Sequence, residues 1–393
     1  MRGKASSLVR AVPLIFLWSA AVSAADGVPG VSSSSIVFGQ SAAFSGSSGD
    51  LGKGLRIGIE AAFNEVNMNG GVHGRNIHLV YHDDRLEPDR AIVNTRRLIG
   101  KDRVFAIIGS LGTATSISAA PVAETAGVPY VAPLTGADFL REGDLPNVIN
   151  LRASFSQEIE AVVELLVDEL GIENIAVLYQ DDALGRNGYN GARNALAVRQ
   201  MELVASGVYP RSTIAIKSAF YDLRKAKPEA IILVGSYKPV ARFIQWGRFL
   251  EFEPVFATIS VAGNNSLARE IGDAGEGVYA TQVVPDYLSE TLPVARRYRA
   301  ALDSLWAGSQ YEFLSFEGYL TGRMAIYAIE KCGPDVDREC FREALLFSDE
   351  IDIDGFKLRF GEGDNQGSDA VFLTRISAGG SFEFSENFEE AGQ

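Results

Sequence analysis

Histidine and cysteine are scarce in this chain of 393 residues, which has only three histidines and two cysteines. All three histidines, His73, His78 and His82, lie in one short segment. On an extended strand, His78 and His82 would stand roughly 13 Å apart, which is too far to share one metal ion. We therefore interpret them as surface and strand-end histidines and expect no metal site. The scarcity of histidine also leaves a serine or cysteine nucleophile with few bases to pair with.

Two common catalytic motifs are missing as well. The glycine-rich stretch 45–54 precedes a helical pattern and could offer backbone N–H groups to a polar ligand, but Gly54 follows Lys53 where a phosphate-binding loop has serine or threonine. No G-x-S-x-G elbow is present in the sequence. Asp181 and Asp182 follow an apolar run, so their carboxylates could act in acid–base catalysis, cap a helix or bind a polar ligand. We expect neither an enzyme nor a cofactor.

Positive charge is also in short supply, because 36 lysines and arginines stand against 50 aspartates and glutamates. The net charge of −14 gives a surface that repels nucleic acid and anionic lipid, so we expect neither as a partner. A chain of this length exceeds what a single hydrophobic core usually serves, so two domains are expected.

A short apolar run marks the amino terminus. It extends from Ala11 to Ala21 after a basic start, and small residues precede and include Ala24. The run is too short for an uncleaved bilayer anchor, and the pattern is typical of a secretory signal peptide, which we place at 1–24. We expect residues 25–35 to form a flexible lead-in. The mature protein would then be periplasmic, without direct insertion into the membrane.

The two cysteines, Cys332 and Cys340, lie close together near the end of the chain. In an oxidising compartment we expect them to form one disulfide. Gly333, Pro334 and Asp335 lie between them and favour a turn, so the bond would join the end of one helix to the start of the next. We interpret this disulfide as structural.

Two similar apolar runs give the strongest indication of the fold. Residues 106–110 (AIIGS) and 232–236 (ILVGS) each end in Gly-Ser. An apolar run that stops at small polar residues is typical of a buried parallel strand whose carboxyl end meets a loop. Open α/β sheets bind ligands outside those carboxyl ends. Two such units predict two α/β domains that face each other across a cleft for a small molecule.

Strand and helix patterns alternate along both parts of the chain, which predicts parallel sheets with right-handed crossovers. The predicted strands are 36–39, 76–84, 104–108, 129–133, 175–179, 203–208, 230–234, 254–259, 356–360 and 371–376. The predicted helices are 52–67, one that begins at Pro88, 116–125, 157–170, 190–201, 239–250, 293–306 and 315–331. On the helix that begins at Pro88, we expect Ile92, Thr95 and Ile99 to face the core.

Hydroxyl groups follow two of the predicted strands. Thr113 and Thr115 come after the run 106–110, and Thr135 comes after the strand 129–133. Together with free backbone N–H groups, these hydroxyls could hold a carboxylate without any buried cation. As helix caps they would be structural instead, and the two roles are compatible.

Five segments resemble type I periplasmic solute-binding proteins of ABC importers, in particular the leucine/isoleucine/valine-binding family. They are 39–84 (GQSAAFSGSSGDLGKG…VYHDD), 104–133 (VFAIIGSLGTATS…VPYVAP), 177–188 (VLYQDDALGRNG), 275–285 (GEGVYATQVVP) and 315–333 (SFEGYLTGRMAIYAIEKCG). The resemblance implies two doubly wound, Rossmann-like domains joined by three crossover strands near 150–152, 281–285 and 350–355. The first domain would comprise 36–150 and 285–345, and the second 151–284 and 346–393.

The resemblance also implies where the solute is bound. Thr113 and the loop 134–136 would hold a ligand carboxylate, while Leu51 and Leu184 stand where relatives have aromatic lids. Tyr237 stands at an aromatic position of the second domain. With Ser260, the implied ligand-binding residues are Leu51, Thr113, Leu134, Thr135, Gly136, Leu184, Tyr237 and Ser260.

Ser260 departs from the family pattern, because amino-acid binders have an acidic residue there that pairs with the ligand ammonium. A buried ammonium without a carboxylate costs several kcal/mol. We therefore hypothesise a carboxylate or amide solute without an α-ammonium group, and tight binding of leucine in calorimetry would contradict this. Asp181 or Asp182 could still supply the missing charge.

The function implied by the resemblance is a periplasmic receptor for a small polar organic solute, either amino acid-like or a carboxylate or amide. Its partners would be that solute and the membrane permease of an ABC importer, and we expect a monomer. A ligand-sensing protein that feeds a membrane signalling receptor is the alternative, because it would share the fold and the pocket.

Overall fold

The computed structural model describes residues 27–143 and 145–384, so the predicted signal peptide at 1–24 lies outside the described residues. The part of the expected flexible lead-in that is described packs against the protein. The Val37 amide donates to the Gly30 carbonyl at 2.9 Å. A Cβ atom at Gly30 would lie 2.2 Å from the Phe105 nitrogen, so only glycine fits this contact. None of the helices in the described ranges has the length and apolar character needed to cross a bilayer.

The first sheet contains five short parallel strands. They are β1 (Ser35–Ala42), β2 (Asn76–Asp83), β3 (Ala106–Ile108), β4 (Tyr130–Val131) and β5 (Val148–Ile149). Their order is β2-β1-β3-β4-β5. The intervening helices are α1 (Gly49–Met68), α2 (Pro88–Gly100) and α3 (Thr113–Thr125), with a short 3₁₀ turn at Asp138–Arg141 before β5. Pro88 is the first residue of α2, where its missing N–H leaves no hydrogen bond unmade.

The second sheet has seven strands, and its helices follow the same alternation. The strands are β6 (Ile175–Asp181), β7 (Ala205–Pro210), β8 (Ala230–Val234), β9 (Val255–Thr258) and β10 (Tyr279–Gln282), with β13 (Phe372–Ile376) and β14 (Phe382–Phe384) added near the end of the chain. The helices are α4 (Phe155–Val163, continued as a π-helical segment Glu164–Glu169), α5 (Ala183–Val198), α6 (Lys217–Ala226), α7 (Tyr237–Phe249) and α8 (Asn265–Ile271, followed by a 3₁₀ turn Gly272–Gly275). The strand order is β14-β13-β10-β9-β8-β6-β7, with β13 and β14 antiparallel.

The last helices of the chain pack on the first sheet's side. They are α9 (Pro293–Leu305), α10 (Phe313–Cys332) and α11 (Arg338–Leu346), followed by the hairpin β11 (Ile351–Ile353) and β12 (Phe356–Leu358). The backbones of α10 and α1 almost touch: a Cβ atom at Gly58 would lie 1.9 Å from the Ser315 carbonyl oxygen. We call the first sheet with α1–α3 and α9–α11 the first half, and the second sheet with α4–α8 the second half.

The chain passes between the halves next to Asn150, which follows β5. The Asn150 amide donates to the Asn365 carbonyl at 2.7 Å, and the Gly367 amide donates to the Asn150 carbonyl at 2.9 Å. Two passages therefore run side by side, and the later one lies at 365–367. The expected crossing at 350–355 is occupied by the β11–β12 hairpin, whose Asp354 carbonyl accepts from the Val294 amide at 3.0 Å. The division of the chain into two domains at the expected boundaries stays a prediction.

The α/β fold class predicted from the sequence is confirmed, but several elements differ. Helices α6 and α8 and strands β5, β10, β11 and β14 were not predicted, and the predicted strand β13 pairs antiparallel with both of its neighbours. Helix α5 begins at Ala183, well before the predicted start at 190. Its early turns contain Gly185 and Gly188, which lower helix propensity. A Cβ atom at Gly185 would lie 1.8 Å from the Gln180 carbonyl oxygen, so the glycines serve close packing on the sheet.

The face of α2 that packs on the core is rotated from the predicted one. Ala91, Thr95 and Leu98 are buried, whereas Ile92 and Ile99 are only partly buried. The small Ala91 allows α2 to lie close to the sheet, which turns the larger isoleucines toward the edge of the contact.

The disulfide between Cys332 and Cys340 is present as expected. Cys332 is the last residue of α10 and Cys340 lies in the first turn of α11, so the bond joins two consecutive helices. Gly333 between them has a φ of 77°, a conformation that glycine adopts without strain.

Candidate functional site

The hydroxyls of Thr113 and Thr135 meet at the carboxyl ends of β3 and β4, as the sequence predicted for that edge. Their oxygen atoms are 2.7 Å apart, and both residues are buried. Nearby, the Ser110 hydroxyl is buried beside Tyr130 but makes no hydrogen bond of acceptable geometry with any described residue. A buried hydroxyl without a partner is uncommon and is able to accept a ligand's polar group.

The neighbours of this hydroxyl pair have mainly structural contacts. Thr115 donates to the carbonyls of Leu111 and Gly112 (2.9 Å to the latter), so its hydroxyl satisfies the start of α3. Leu134 is buried, and its backbone forms an isolated parallel β-bridge with Leu111. At Gly136 a Cβ atom would lie 2.5 Å from the Phe155 nitrogen, so glycine is required where this loop meets the start of α4. Leu134 and Gly136 thus shape the loop that carries Thr135.

A cavity of about 390 Å³ lies between the two halves at the carboxyl ends of the second sheet. This volume falls within the roughly 300–1,000 Å³ of small-molecule pockets. The first half contributes Ser47 from the glycine-rich loop before α1. The remaining lining residues come from the second half: Gln180, Ser212, Thr213, Ile214, Ser236, Tyr237, Lys238 and Pro239.

Lys238 is the only charged side chain that lines this cavity. Among the described residues, no carboxylate lies within ion-pair distance of its ammonium group, which instead lies 5.7 Å from the Tyr237 ring centroid. Tyr237 is 3% exposed, and burial raises the pKa of its hydroxyl. In a chain with a large excess of acidic residues, this cavity therefore has a locally positive lining.

The two leucines at the expected lid positions do not line the cavity. Leu51 is buried in α1 within the first core cluster, and Leu184 is partly buried in the first turn of α5 against a second cluster. Of the implied ligand-binding residues, Tyr237 alone is among those that line the cavity, whereas Thr113 and Thr135 contact each other in the first half outside that lining. Their contact with a solute stays a prediction.

A larger hollow of about 750 Å³ lies elsewhere on the second half. It is lined by Val255 and Tyr279, the first residues of β9 and β10, so it lies at the amino ends of the strands. Ligands of α/β sheets bind at the opposite, carboxyl ends. We do not assign a solute to this hollow.

Asp181 and Asp182 are engaged with neighbouring residues of the second half. Asp182 accepts the Gly185 amide at 3.1 Å as the N-cap of α5 and also accepts from Gln180 at 2.6 Å. Asp181 is exposed and pairs with Arg186 at 2.8 Å. Of the interpretations left open by the sequence, helix capping is the one that Asp182 fulfils.

Ser260 belongs to a buried polar cluster that links the two halves, which we call the crossing cluster: Arg152, Glu158, Ser260, Thr281 and Glu317. Arg152 lies on the first passage, and its Nη2 atom donates to the Ser260 hydroxyl at 2.8 Å. Its Nε atom lies 3.0 Å from Glu317 on α10. Glu158 on α4 accepts the Ser260 amide at 2.8 Å and the Ser260 hydroxyl at 3.0 Å. Thr281 also donates to Glu158.

The crossing cluster contains one guanidinium and two carboxylates: Arg152 pairs with Glu317, while the hydrogen bonds that Glu158 accepts come from the neutral groups of Ser260 and Thr281. Arg152 is 2% exposed and Glu158 is 0% exposed. Burial raises the pKa of Glu317, the Arg152 guanidinium opposes this shift, and Glu158 adds to it. Both hydrogen-bonding groups of Ser260 are in use, and each carboxylate has a partner. A ligand ammonium near Ser260 would therefore have to displace an existing contact.

Sequence reasoning named only Ser260 as a site residue and missed the other four members of the crossing cluster. The partners of Arg152, Glu158 and Glu317 lie at least 102 positions away along the chain. A signal was present, because Glu158 and Glu317 each interrupt the apolar face of a helix that is otherwise buried. Charged residues on such a face are rarely buried unless they are paired.

The three histidines do not form a metal site. In the described part of the chain, no group of histidine, cysteine and acidic side chains is arranged to hold a metal ion. His82 instead pairs with Asp102, with 2.6 Å between its Nε2 atom and the carboxylate.

Comparison with known proteins agrees with this geometry. Residues 35–381 match the family model described as "Periplasmic binding protein". A solved structure of a possible leucine/isoleucine/valine-binding protein from Rhodopirellula baltica SH 1 is 34% identical, with a TM-score of 0.85 over 93% of this chain and 99% of that one. Leu/Ile/Val-binding protein homolog 7 of Brucella abortus (strain 2308) is 26% identical over 344 residues, which is 84% of this chain and 85% of that one.

More distant structures share the fold alone. A solute-binding protein of an ABC transporter from R. palustris, solved in complex with benzoate, has a TM-score of 0.80 at 16% identity and covers 89% of this chain and 95% of its own. All these relatives are binding proteins rather than enzymes, in agreement with the prediction for this chain.

Proposed function

Because this chain belongs to the periplasmic binding protein family, we propose that it is the extracytoplasmic solute-binding component of an ABC importer. The observation that carries the proposal is the cavity of about 390 Å³ at the carboxyl ends of the second sheet's strands, to which the first half contributes Ser47. Solute contacts with both halves stabilise the closed form, and the permease receives the solute when the halves separate.

The proposed solute is a small organic acid without an α-ammonium group. Thr113, Thr135 and the unpartnered Ser110 hydroxyl provide hydrogen bonds for a carboxylate on the first half. Lys238 provides the only charge in the cavity lining, and that charge is positive. Around Ser260, Glu317 pairs with Arg152 and Glu158 accepts hydrogen bonds from Ser260 and Thr281, so a ligand ammonium would have to displace an existing contact. The benzoate complex of the distant R. palustris protein supports the idea that this fold accommodates a carboxylate of that kind.

The test is a thermal-shift panel on refolded, ligand-free protein without its signal peptide. It compares aromatic and aliphatic carboxylates, their amides, leucine-type amino acids and polyamines. A solute at 100 times its Kd adds about 2.7 kcal/mol to stability, which a thermal shift detects readily. Stabilisation by carboxylates but not by amino acids supports the proposal. Stabilisation by leucine keeps the receptor and overturns the solute class, and silence across the panel argues against the proposed function.

The variant Lys238→Met tests whether the cavity is the solute-binding site. We expect it to weaken carboxylate binding about tenfold, because a hydrogen bond to a charged group contributes about 1.5–3 kcal/mol. The matched control is Lys227→Met, because Lys227 is an exposed lysine of the same half outside the cavity. Equal affinity in the two variants would place the solute elsewhere.

A further inference from the structure

The edge strands β2 and β7 lie on the side of the cleft away from the chain passages. In the first sheet, β5 leads into the first passage and β2 is the opposite edge. In the second sheet, β10 leads into another passage and β7 is the edge strand farthest from it on the parallel side. Four inter-strand spacings, or about 19 Å, separate β2 from β5 in the first sheet and β7 from β10 in the second. Hinge motion at the passages therefore moves the β2 and β7 edges the most.

Arg211 connects these two far edges. It directly follows β7, and its Nη2 atom donates to the Leu86 carbonyl in the loop after β2. Its Nη1 atom lies 3.6 Å from the Glu87 carboxylate, and its Nε atom lies 3.5 Å from Asp182 of its own half. The side chain is 22% exposed. We call these contacts the Arg211 bridge.

The loop that accepts the Arg211 bridge has a fixed and unusual shape. Arg85 and Leu86 both have positive φ values, 55° and 64°, which non-glycine residues rarely adopt. The buried Asp84 maintains this shape, because its carboxylate accepts the Leu86 amide at 2.8 Å and its carbonyl accepts the Glu87 amide at 2.9 Å. The Leu86 carbonyl is therefore presented to Arg211 without further ordering of the loop.

The Arg211 bridge lies next to residues of the proposed solute site in both halves. Ser212, Thr213 and Ile214 directly follow Arg211 and form part of the cavity wall. On the first half, a Cβ atom at Gly112 would lie 2.6 Å from the Leu86 side chain, and Gly112 precedes Thr113. Contact between Arg211 and Leu86 thus brings the cavity wall and the start of α3 together.

We propose that Arg211 is a positioning residue that fastens the cavity-lining loop 212–214 to the first half and sets how long the closed form lasts. The inference rests on the proposed function, since it assigns a role in closing the same cleft. Arg211 does not need to touch the solute for this role. Its effect is on the equilibrium between open and closed forms.

The experiment measures the opening of the cleft directly, without a solute. The only two cysteines of the chain form the disulfide, so Val93→Cys and Tyr221→Cys provide two unique sites for spin labels. Both positions are exposed, at 62% and 50%, on α2 and α6 beside the far edges. Pulsed electron–electron double resonance then gives the distribution of distances between the two spin labels. It is measured for Arg211→Ala, for Arg211→Lys and for the labelled protein with Arg211 unchanged.

We expect Arg211→Ala to shift the distribution to longer distances, and Arg211→Lys to fall between, since lysine keeps the charge but not the forked donors. The control is Arg186→Ala, which removes an exposed ion pair with Asp181 within the second half. Raising NaCl from 0.1 M to 1 M shortens the screening length from about 10 Å to about 3 Å. The salt should open the unchanged protein more than Arg211→Ala. That variant still has the Arg269–Glu312 pair between α8 and the start of α10, and the buried Arg152–Glu317 pair at the passages, which salt screens little.

A distance distribution in Arg211→Ala equal to that of Arg186→Ala would overturn the proposal. A binding measurement separates this failure from failure of the proposed function. With any carboxylate that stabilises the unchanged protein in the thermal-shift panel, Arg211→Ala should dissociate about tenfold faster at a similar association rate. An unchanged dissociation rate overturns the role of Arg211 while leaving the solute-binding function in place.

Discussion

The two edges of the cleft use arginine in opposite ways. At the passages, Arg152 is 2% exposed and contacts Glu317 of the first half and Ser260 of the second. At the far edge, Arg211 keeps 22% of its side chain exposed. A buried ion pair is costly to break, whereas an exposed pair is worth little. The difference teaches that a charge contact can either keep two halves joined or let them separate, depending on its burial.

The largest expected effect is at Arg152. Arg152→Met leaves Glu317 buried without its counter-ion and removes a donor from Ser260, so we expect a loss of about 3–5 kcal/mol in the free energy of unfolding. Urea denaturation at pH 7 measures it.

Arg199→Met is the control for that change, because Arg199 pairs with Glu160 and Asp168, two carboxylates that are about half exposed. We expect it to lose no more than about 1 kcal/mol. Equal losses in the two variants would remove the contrast between buried and exposed pairs. If Arg152→Met does not fold, Glu317→Gln tests the same cluster more gently.

The next effect concerns Asp84, a buried carboxylate at the far edge without a cationic partner. Burial raises its pKa to about 6, hydrogen bonds from Ser41 and the Leu86 amide oppose the shift, and Asp83 and Glu87 add to it. A raised pKa means that the folded chain holds the proton more tightly, so stability falls as the pH rises from about 4 to about 6. Asp84→Asn should therefore match the unchanged protein at pH 4 and exceed it by up to about 3 kcal/mol at pH 7.5.

Its neighbour Asp83 is the control with the opposite sign. Burial alone would raise the pKa of Asp83, but hydrogen bonds from Ser45 and from the amides of Phe44 and Arg85 lower it. Asp83→Asn should therefore destabilise the protein at pH 7, and the difference should disappear as the pH falls. Because the pKa of Asp83 is lowered from 3.8, this difference persists down to about pH 4 and disappears only below it. Urea titrations of both variants from about pH 2 to pH 8 check the pair, and parallel curves would contradict the assigned environments.

The smallest effect is expected in the middle of the first sheet. Thr113→Val removes the neutral hydrogen bond between the two hydroxyls, which contributes about 1 kcal/mol, and Thr135→Val also removes the longer bond from the Ala137 amide at 3.3 Å. The double variant should cost less than the sum of the two, because the bond between the hydroxyls is lost in all three cases. Thr125→Val is the control, since its exposed hydroxyl bonds only within α3. Additive losses in the double-variant cycle would show that the two hydroxyls do not interact.

The fold was largely predictable because periodicity is local. The fully buried strand β8 and the alternation of strands and helices can be recognised from residues that are close in sequence. The resemblance to known sequences indicated the family, which the comparisons confirm. The direction of β13 was not predictable, because a short apolar run fits a parallel or an antiparallel neighbour equally well. Helix α8, with seven residues, is too short for a clear period.

The candidate site was predictable only where it follows the strands. Thr113 and Thr135 could be placed together because parallel strands β3 and β4 bring their carboxyl ends to one edge. The crossing cluster could not, since the contacts of Arg152 and Glu158 depend on how the two halves meet. Arg211 gave no sequence signal at all, because its partner is mainly the backbone carbonyl of Leu86.

Segments near the end of the chain pack in both halves, and this limits the order in which the protein can fold. Arg323 on α10 contacts Glu65 on α1 across 258 positions, and Thr374 on β13 bonds to Ala280 on β10 across 94 positions. Neither half has all of its parts until almost the whole chain has left the ribosome. Contacts so distant in sequence form slowly. Folding of either half is therefore completed only by contacts that late segments of the chain make.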